Sequence, residues 1–353
     1  MTFRKTLTTL LCSALLMLIC SCNPQDVAPT ASITDPAASS EVILQQPEGT
    51  IVCLLPESAP TADAATEPPV LSQLPSAENW VTAAISRKYA WDDGVGNRNE
   101  VTVCLPHINS GSKFAADYNA DIDAFADRLN TEIDELASSG CSTHIVSVNY
   151  EAWVNGDLLS ILITTKTCID YIEYRIDNFD LEDKEAMSVA DMCDEYLDLE
   201  YPQFLKYTRG KIMQDFGTEY ADFITQFPED YDFMKDLYLQ DVSIPLNYRL
   251  YLGETGALML VCDRPAIAGG ASYSSIGEMT VDPVLIPSEA EAWSWLFDLY
   301  LSADQENTEY AAQILRIAYE EDDDDFTEHL RQRPRNERDA IMAILRVKEN
   351  KEG

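Results

Sequence analysis

Residues 145–197 constrain the fold more than any other part of the chain, because their hydrophobic pattern has two different periods. Apolar side chains alternate with polar ones over 146–154, which is typical of a β-strand with one buried face. Asn155 and Gly156 follow, the pair best suited to the positive φ angles of a type I′ hairpin turn. The next run, 158–167, is apolar on both faces, so we predict a central strand that returns antiparallel to the first.

The same stretch ends in a third strand and a helix. Apolar and charged residues alternate over 172–177, as in a strand, and the period becomes helical over 189–197. Ser188 and Asp191 stand three positions apart just before this change, which is the spacing of a helix capping box. The stretch therefore predicts an antiparallel meander that leads into a helix.

Further strands and helices are predicted on both sides of this meander. Strands are predicted at 83–91 and 100–106, followed by a helix that ends at Gly140, a residue suited to a left-handed C-cap. A closing hairpin is predicted at 248–262, and helical segments follow from 287. The apolar face predicted for the first helix comprises Ile122, Phe125, Ala126, Leu129, Ile133 and Leu136.

These elements predict an α+β fold: an antiparallel meander sheet with helices on one face, plus a C-terminal helical appendage. The main domain is predicted to span 78–285, with a companion part of about 78–140 and a main part of about 141–285. The appendage is predicted to span 286–353. Hydrophobic residues make up 46% of the chain, which is enough to form a sizeable core.

Residues 1–21 have the pattern of a bacterial lipoprotein signal peptide rather than of a folded element. A basic start precedes a short apolar core, and the run Ile-Cys-Ser-Cys at 19–22 matches a lipobox. Cys22 is therefore predicted to carry the lipid that anchors the protein to the membrane. The alternatives are cleavage by ordinary signal peptidase and an uncleaved N-terminal anchor. Residues 22–77, rich in Pro, Ala, Ser and Thr, are predicted to be a flexible tether.

The chain is strongly acidic, with a formal charge of −37 at pH 7. Such a charge argues against nucleic acid as a partner, because binding to phosphates requires clustered Lys and Arg side chains. It favours cationic partners, which an acidic surface attracts. The alternative is a solvated surface that has no partner.

The number of cysteines supports export. The chain has nine; two lie in the signal peptide and Cys22 is the predicted lipidation site, which leaves six. Six is even and an extracytoplasmic compartment permits oxidation, so we predict at least one disulfide; the alternative is six free thiols. No Cys-x-x-Cys motif occurs, which argues against a zinc or thioredoxin-like site. The six candidates are Cys53, Cys104, Cys141, Cys168, Cys193 and Cys262.

No catalytic or cofactor-binding motif is found, so we predict a non-catalytic protein with no cofactor and no metal centre. The three histidines lack metal-ligand spacing, and neither a nucleophile elbow nor a phosphate-binding loop occurs. The carboxylates at 320–325 lack the spacing of a calcium loop and are predicted to form a solvated loop between helices. Trp153 is the candidate ligand contact, because an indole ring can stack on a sugar. The alternative for Trp153 is packing under a neighbouring helix.

The meander and the residues that follow it resemble a known bacterial domain. The run Asn-Phe-Asp-Leu at 178–181 and the helix start at 188–192 are similar to the extracytoplasmic domain of RsiV-type anti-sigma factors. That domain of unknown function also occurs in bacterial lipoproteins and beside polysaccharide deacetylase domains. Upstream, the strand at 101–106 and the helix after it resemble the companion domain that usually precedes it. The chain departs from the family at 167–170, where Thr-Cys-Ile-Asp replaces the usual Gly-Ala-His-Gly turn.

The resemblance implies a binding role outside the cytoplasm. RsiV-like domains imply lysozyme-type hydrolases as ligands, so the expected partner is a lysozyme-type cationic protein or a cell-wall glycan. The expected location is extracytoplasmic, with the protein lipid-anchored to the bacterial cell membrane. The alternatives are a cell-wall glycan hydrolase or deacetylase accessory, and a structural envelope lipoprotein with no ligand.

Overall fold

The protein has the predicted α+β fold, with two sheets and a set of helices that includes a cluster at the C-terminal end. The predicted signal peptide, Cys22 and the tether up to residue 76 lie outside the described residues. No helix in the described ranges is both long enough and apolar enough to cross a membrane. The computed structural model describes residues 77–168, 171–265, 273–304 and 307–349.

The larger sheet contains six strands that follow one another in sequence order. They are β1 (Val81–Asp92), β2 (Arg98–Ile108), β3 (Ile145–Asn155), β4 (Leu158–Thr167), β5 (Ile172–Asp180) and β6 (Glu185–Met187). Neighbouring strands are antiparallel except β2 and β3, which run parallel because helix α1 (Lys113–Ser139) connects them. The predicted meander is therefore confirmed, and the sheet as a whole is mixed rather than antiparallel throughout.

Helix α1 covers one face of this sheet, and its C-cap is the one that the sequence predicts. Gly140 has a φ of 63°, and its N–H donates to the carbonyl oxygens of the last turn. Ile122, Leu129 and Ile133 are buried in a cluster with the apolar side chains of β2, β3 and β4. The amphipathic pattern read from the sequence therefore corresponds to the face that packs on the sheet.

The turn between β3 and β4 lies one residue later than predicted. β3 ends at Asn155 and β4 begins at Leu158, so the two turn residues are Gly156 and Asp157. Gly156 has a φ of 62° and Asp157 does not have a positive φ, which fits a type II′ turn rather than type I′. Asn155 remains in the strand, and its side-chain amide donates a 3.1 Å hydrogen bond to the carbonyl oxygen of Gly253.

A second sheet packs against the opposite face of the meander. It consists of β7 (Arg249–Leu252), β8 (Leu258–Arg264) and β9 (Tyr273–Glu278), all antiparallel. Tyr251 and Val261 from this sheet form a small apolar cluster with Leu162 of β4. Strand β4 is therefore buried on both faces, as its unbroken apolar run predicts, because α1 covers one face and the second sheet the other.

The remaining helices fill the second half of the chain. Ser188 forms a capping box with Asp191, as predicted, and Ser288 forms one with Glu291. Gly210 lies inside its helix and does not interrupt it. The helices are α2 (Val189–Leu197), α3 (Tyr201–Glu219), α4 (Ala221–Gln226), α5 (Pro228–Gln240), α6 (Glu289–Ser302), α7 (Thr308–Glu321), α8 (Asp323–Arg331) and α9 (Arg335–Glu349).

The C-terminal helices α6–α9 share a hydrophobic cluster with α3 and the second sheet. Trp293 of α6 is buried, and its ring contacts those of Phe297 and Phe326 at centroid distances of 5.9 and 5.6 Å. Phe204 of α3 belongs to the same cluster. The Gln203 side-chain amide adds a 2.9 Å hydrogen bond to a carbonyl oxygen just before α6. Both apolar and polar contacts thus attach the segment that begins near residue 286.

Candidate functional site

The candidate ligand contact, Trp153, lies on the face of β3 that the second sheet covers. Its indole ring stacks on the ring of Tyr251 from β7, with centroids 5.4 Å apart and planes 23° apart. The side chain is half-buried and joins the apolar cluster around Leu162. A sugar would stack on a flat face of the Trp153 indole ring, and Tyr251 already covers one of the two faces. The geometry therefore favours a packing role, against a strand rather than against the helix that the sequence suggests.

The polar groups that join the two sheets were not found by sequence reasoning. Ser160 of β4 donates a 2.8 Å hydrogen bond to the side-chain oxygen of Asn178 on β5. Asn178 in turn donates a 2.7 Å bond to the carbonyl oxygen of Leu250, and the N–H of Leu252 donates to the Ser160 hydroxyl at 3.3 Å. Buried polar atoms are stable only when paired, and this network pairs side chains of one sheet with the backbone of the other. Its role is to join the sheets.

Five of the six candidate cysteines lie in the described residues, and four of them, Cys141, Cys168, Cys193 and Cys262, are free thiols; Cys53 lies outside the described residues. Cys141 and Cys168 are exposed, whereas Cys193 and Cys262 are buried. Burial raises the pKa of the Cys193 and Cys262 thiols, so these two are poor nucleophiles. The predicted disulfide stays a prediction, because Cys53 lies outside the described residues. The fifth described cysteine is Cys104, half-buried on β2.

Three carboxylates form the one group of possible metal ligands in the described residues: Glu200, Asp322 and Asp325, whose oxygens lie within 4.8 Å of one another. Asp322 is the N-cap of α8, and its carboxylate accepts the N–H of Asp325 at 2.8 Å. Burial, and then the charges of Asp325 and Asp322, raise the pKa of Glu200. Calcium takes six or more oxygens, so three carboxylates with a local capping role do not by themselves make a metal centre.

The position of this cluster partly corrects the sequence interpretation of 320–325. That run was predicted to be a solvated loop, but the structure places it at the end of α7 and in the first turn of α8. Acidic side chains stabilise a helix N-terminus because the backbone N–H groups there are unpaired. Glu200 is the N-cap of α3 and lies far away in sequence, so no local spacing could have linked it to Asp322.

Two histidines make contacts that give them structural roles. The His107 ring nitrogen lies 3.0 Å from a carboxylate oxygen of Asp123, which ties β2 to α1. The ring of His329 stacks on that of Trp293, with centroids 5.9 Å apart. Neither contact includes a nucleophile, so these histidines give no reason to propose catalysis.

The outward face of α1 carries three exposed aspartates at helical spacing. Asp123, Asp127 and Asp134 are exposed, and their spacing places them on one stripe of the helix. Asp123 pairs with His107, while Asp127 and Asp134 form no ion pair with a described residue. We call these three residues the acidic stripe of α1. It is a surface suited to attract cations rather than to bind a small molecule in a cavity.

Comparison with known proteins adds no family to this geometry. No protein-family model matches the chain, and no curated protein matches it. The likeness to RsiV-type domains therefore stays a prediction from short motifs.

Proposed function

We propose that this protein is a lipid-anchored extracytoplasmic lipoprotein whose folded part binds a cationic protein, with a lysozyme-type hydrolase as the expected ligand. The observation that carries the proposal is the acidic surface, represented by the acidic stripe of α1, in a chain of formal charge −37. The membrane anchor rests on the lipobox at 19–22. The class of ligand rests on the resemblance to RsiV-type domains.

A test of this proposal must distinguish specific binding from the general attraction of an acidic surface for basic proteins. Acidic groups attract a basic protein over about a Debye length, about 8 Å at physiological salt. This attraction raises the association rate more than the final affinity. Every basic protein therefore binds to some extent at low salt, and affinity alone does not identify a ligand.

The test compares a lysozyme with an unrelated basic protein of similar net charge, at low and at physiological salt. We expect lysozyme to stay bound at physiological salt while the unrelated protein dissociates. Replacing Asp127→Asn and Asp134→Asn should lower the association rate of lysozyme. The matched control, Glu182→Gln with Asp183→Asn, removes the same charge from an exposed turn between β5 and β6. If both basic proteins dissociate together, the acidity is only a solvated surface and the structural alternative stands.

The anchor is tested separately. Changing Cys22→Ala removes the thiol that the lipid would modify, so we expect unprocessed precursor or protein released from the membrane fraction. Mass spectrometry of the mature wild-type protein should find diacylglycerol on Cys22. A mature N-terminus without lipid at this residue would contradict the proposed attachment, whatever the outcome of the lysozyme experiment.

A further inference from the structure

Helix α5 has two faces of opposite character. Its inward face is fixed: Tyr238 is buried, and the ring of Tyr231 stacks on Phe216 of α3 with centroids 5.9 Å apart. Its outward face carries Phe233, 68% exposed, and Leu237, 40% exposed. These two side chains are four positions apart and are therefore neighbours on the helix surface. We call them the outward stripe of α5.

The outward stripe is bordered by carboxylates. Glu229 and Asp230 lie one turn before Phe233, and Asp236 lies one turn after it; all three are exposed. None of them forms an ion pair with another described residue. The single basic residue of the helix is Lys235. A solvent-exposed aromatic ring with acidic neighbours on both sides is thus the main feature of this face.

The charge of this surface decides what kind of partner fits it. A second copy of the chain is disfavoured, because two molecules of formal charge −37 repel each other. An anionic membrane or a nucleic acid is disfavoured for the same reason. A neutral apolar partner would remove water from carboxylates without giving them new partners, which is unfavourable. A partner that covers the exposed apolar side chains and also pairs with the carboxylates presents apolar side chains with Lys or Arg beside them.

We propose that the outward stripe of α5 binds a cationic amphipathic helix. The apolar face of the partner covers Phe233 and Leu237, and its basic side chains lie beside Glu229, Asp230 and Asp236. Helices that bind through anchors one turn apart are a common mode of peptide recognition. The inference rests on the proposed function for the sign of the partner's charge, and it deepens that function by naming the partner's secondary structure.

The probe is a labelled synthetic peptide of about 18 residues, about five helical turns, made of Leu and Lys with one apolar and one cationic face. A second peptide has the same composition in an order that leaves no apolar face. Binding to the full chain is measured by fluorescence anisotropy at physiological salt. The test variant is Phe233→Ser with Leu237→Ser. The matched control is Val284→Ser with Leu285→Ser, which removes two exposed apolar side chains elsewhere.

We expect the amphipathic peptide to bind the wild type more tightly than the reordered peptide does. The test variant should weaken binding about tenfold or more, because a few apolar anchors carry most of the affinity of such contacts. The control should stay near the wild type. Asp230→Asn with Asp236→Asn should weaken binding and reduce its salt dependence. Equal binding of the two peptides, or equal loss in the test and control variants with unchanged circular dichroism, would overturn the inference.

The same variants separate this inference from the proposed function. If lysozyme does not bind but the Phe233→Ser, Leu237→Ser variant loses the peptide, lysozyme fails as the ligand in the proposed function and the inference stands. If lysozyme binds at physiological salt and the test variant binds the peptide with the affinity of the wild type, only the inference fails.

Discussion

Hydrogen bonds within the fold lower the pKa of the Asp93 carboxylate. It accepts hydrogen bonds from the Ser142 hydroxyl at 2.7 Å, from the backbone N–H groups of Asn97 and Val95 at 2.7 and 3.0 Å, and from the Asn97 side chain. These bonds, led by the one from Ser142, lower the pKa of Asp93 from 3.8 to about 2. The ionised carboxylate therefore holds the turn between β1 and β2 against the segment that precedes β3.

This pKa shift predicts how stability depends on pH. Because the pKa of Asp93 is lower in the folded state than in the unfolded state, its ionisation stabilises the fold. This contribution to stability is fully present above the unfolded-state pKa and is lost as the pH falls from about 4 to about 2. We expect Asp93→Asn to reduce the free energy of unfolding at neutral pH, and the difference from the wild type to shrink over that window. Urea unfolding at several pH values measures it. Asp92→Asn, at an exposed neighbouring position, is the control, and a difference that does not change with pH would contradict the prediction.

Single residues also show where the sequence pattern was misleading. Val146 was predicted to face inward, but it is 43% exposed, because the register of β3 and β4 shifts between Ile145 and Ser147. Asn155 was predicted to be a turn residue, but it remains in β3 and its side chain bonds to Gly253. In both cases the predicted alternation of inward and outward side chains is correct within the strand and fails at its end. There, pairing with the neighbouring strand determines where the residue lies.

At the scale of elements, Arg209 joins two helices. This side chain of α3 is 3% exposed, and its guanidinium donates to the carbonyl oxygens of Tyr238, Leu239 and Asp241 at the end of α5. The last carbonyl groups of a helix have no partner within the helix, and a cation there also interacts favourably with the helix dipole. Arg209 therefore fixes the orientation of α5, and with it the direction of the outward stripe.

Removing the hydrogen bonds of Arg209 should lower the free energy of unfolding. We expect Arg209→Met to lower the free energy of unfolding by about 2–4 kcal/mol, since hydrogen bonds to a charged group are lost and buried carbonyl oxygens are left unpaired. Arg209→Lys should lose less, because an ammonium group still reaches one carbonyl oxygen. Chemical denaturation gives the free energies, and hydrogen exchange should show the largest loss of protection in α5. Equal losses for Met and Lys would mean that the side chain acts through packing alone.

At the scale of the whole molecule, the question is whether the segment from 286 is separable. The sequence predicts an appendage there, and the position of its first helix is correct. In the structure, Trp293 of that segment and Phe204 of α3 belong to one buried cluster that also includes Leu250 of the second sheet. Shared burial of this kind makes the C-terminal helices part of the packing that stabilises α3.

Two changes test this dependence. Deleting 286–353 should expose the apolar side of α3 and abolish cooperative unfolding of the remaining chain. Trp293→Ala in the full chain should lower the free energy of unfolding by about 3–5 kcal/mol, with a single transition in calorimetry. A truncated chain that still unfolds cooperatively at the wild-type Tm would show instead that the segment is a separate appendage.

The candidate sites show the same limit of sequence reasoning. Trp153 can be recognised as an aromatic residue on a strand, but only the structure shows that Tyr251 covers one of its faces. Asp322 can be recognised in an acidic run, but only the structure brings Glu200 to it. Each partner lies far away in sequence, and no periodicity reports contacts between residues so widely separated.

The sequence by itself determined the elements that depend on neighbouring residues: the meander, the face of α1 that packs, the C-cap at Gly140 and the capping boxes at Ser188 and Ser288. These features arise from side-chain spacing and from backbone hydrogen bonds within a few residues. Tertiary structure alone decided the parallel pairing of β2 with β3, the packing of the second sheet on the meander and the burial of α6 against α3. Those contacts depend on which apolar faces can cover each other once the chain has turned back, and that is a property of the whole molecule.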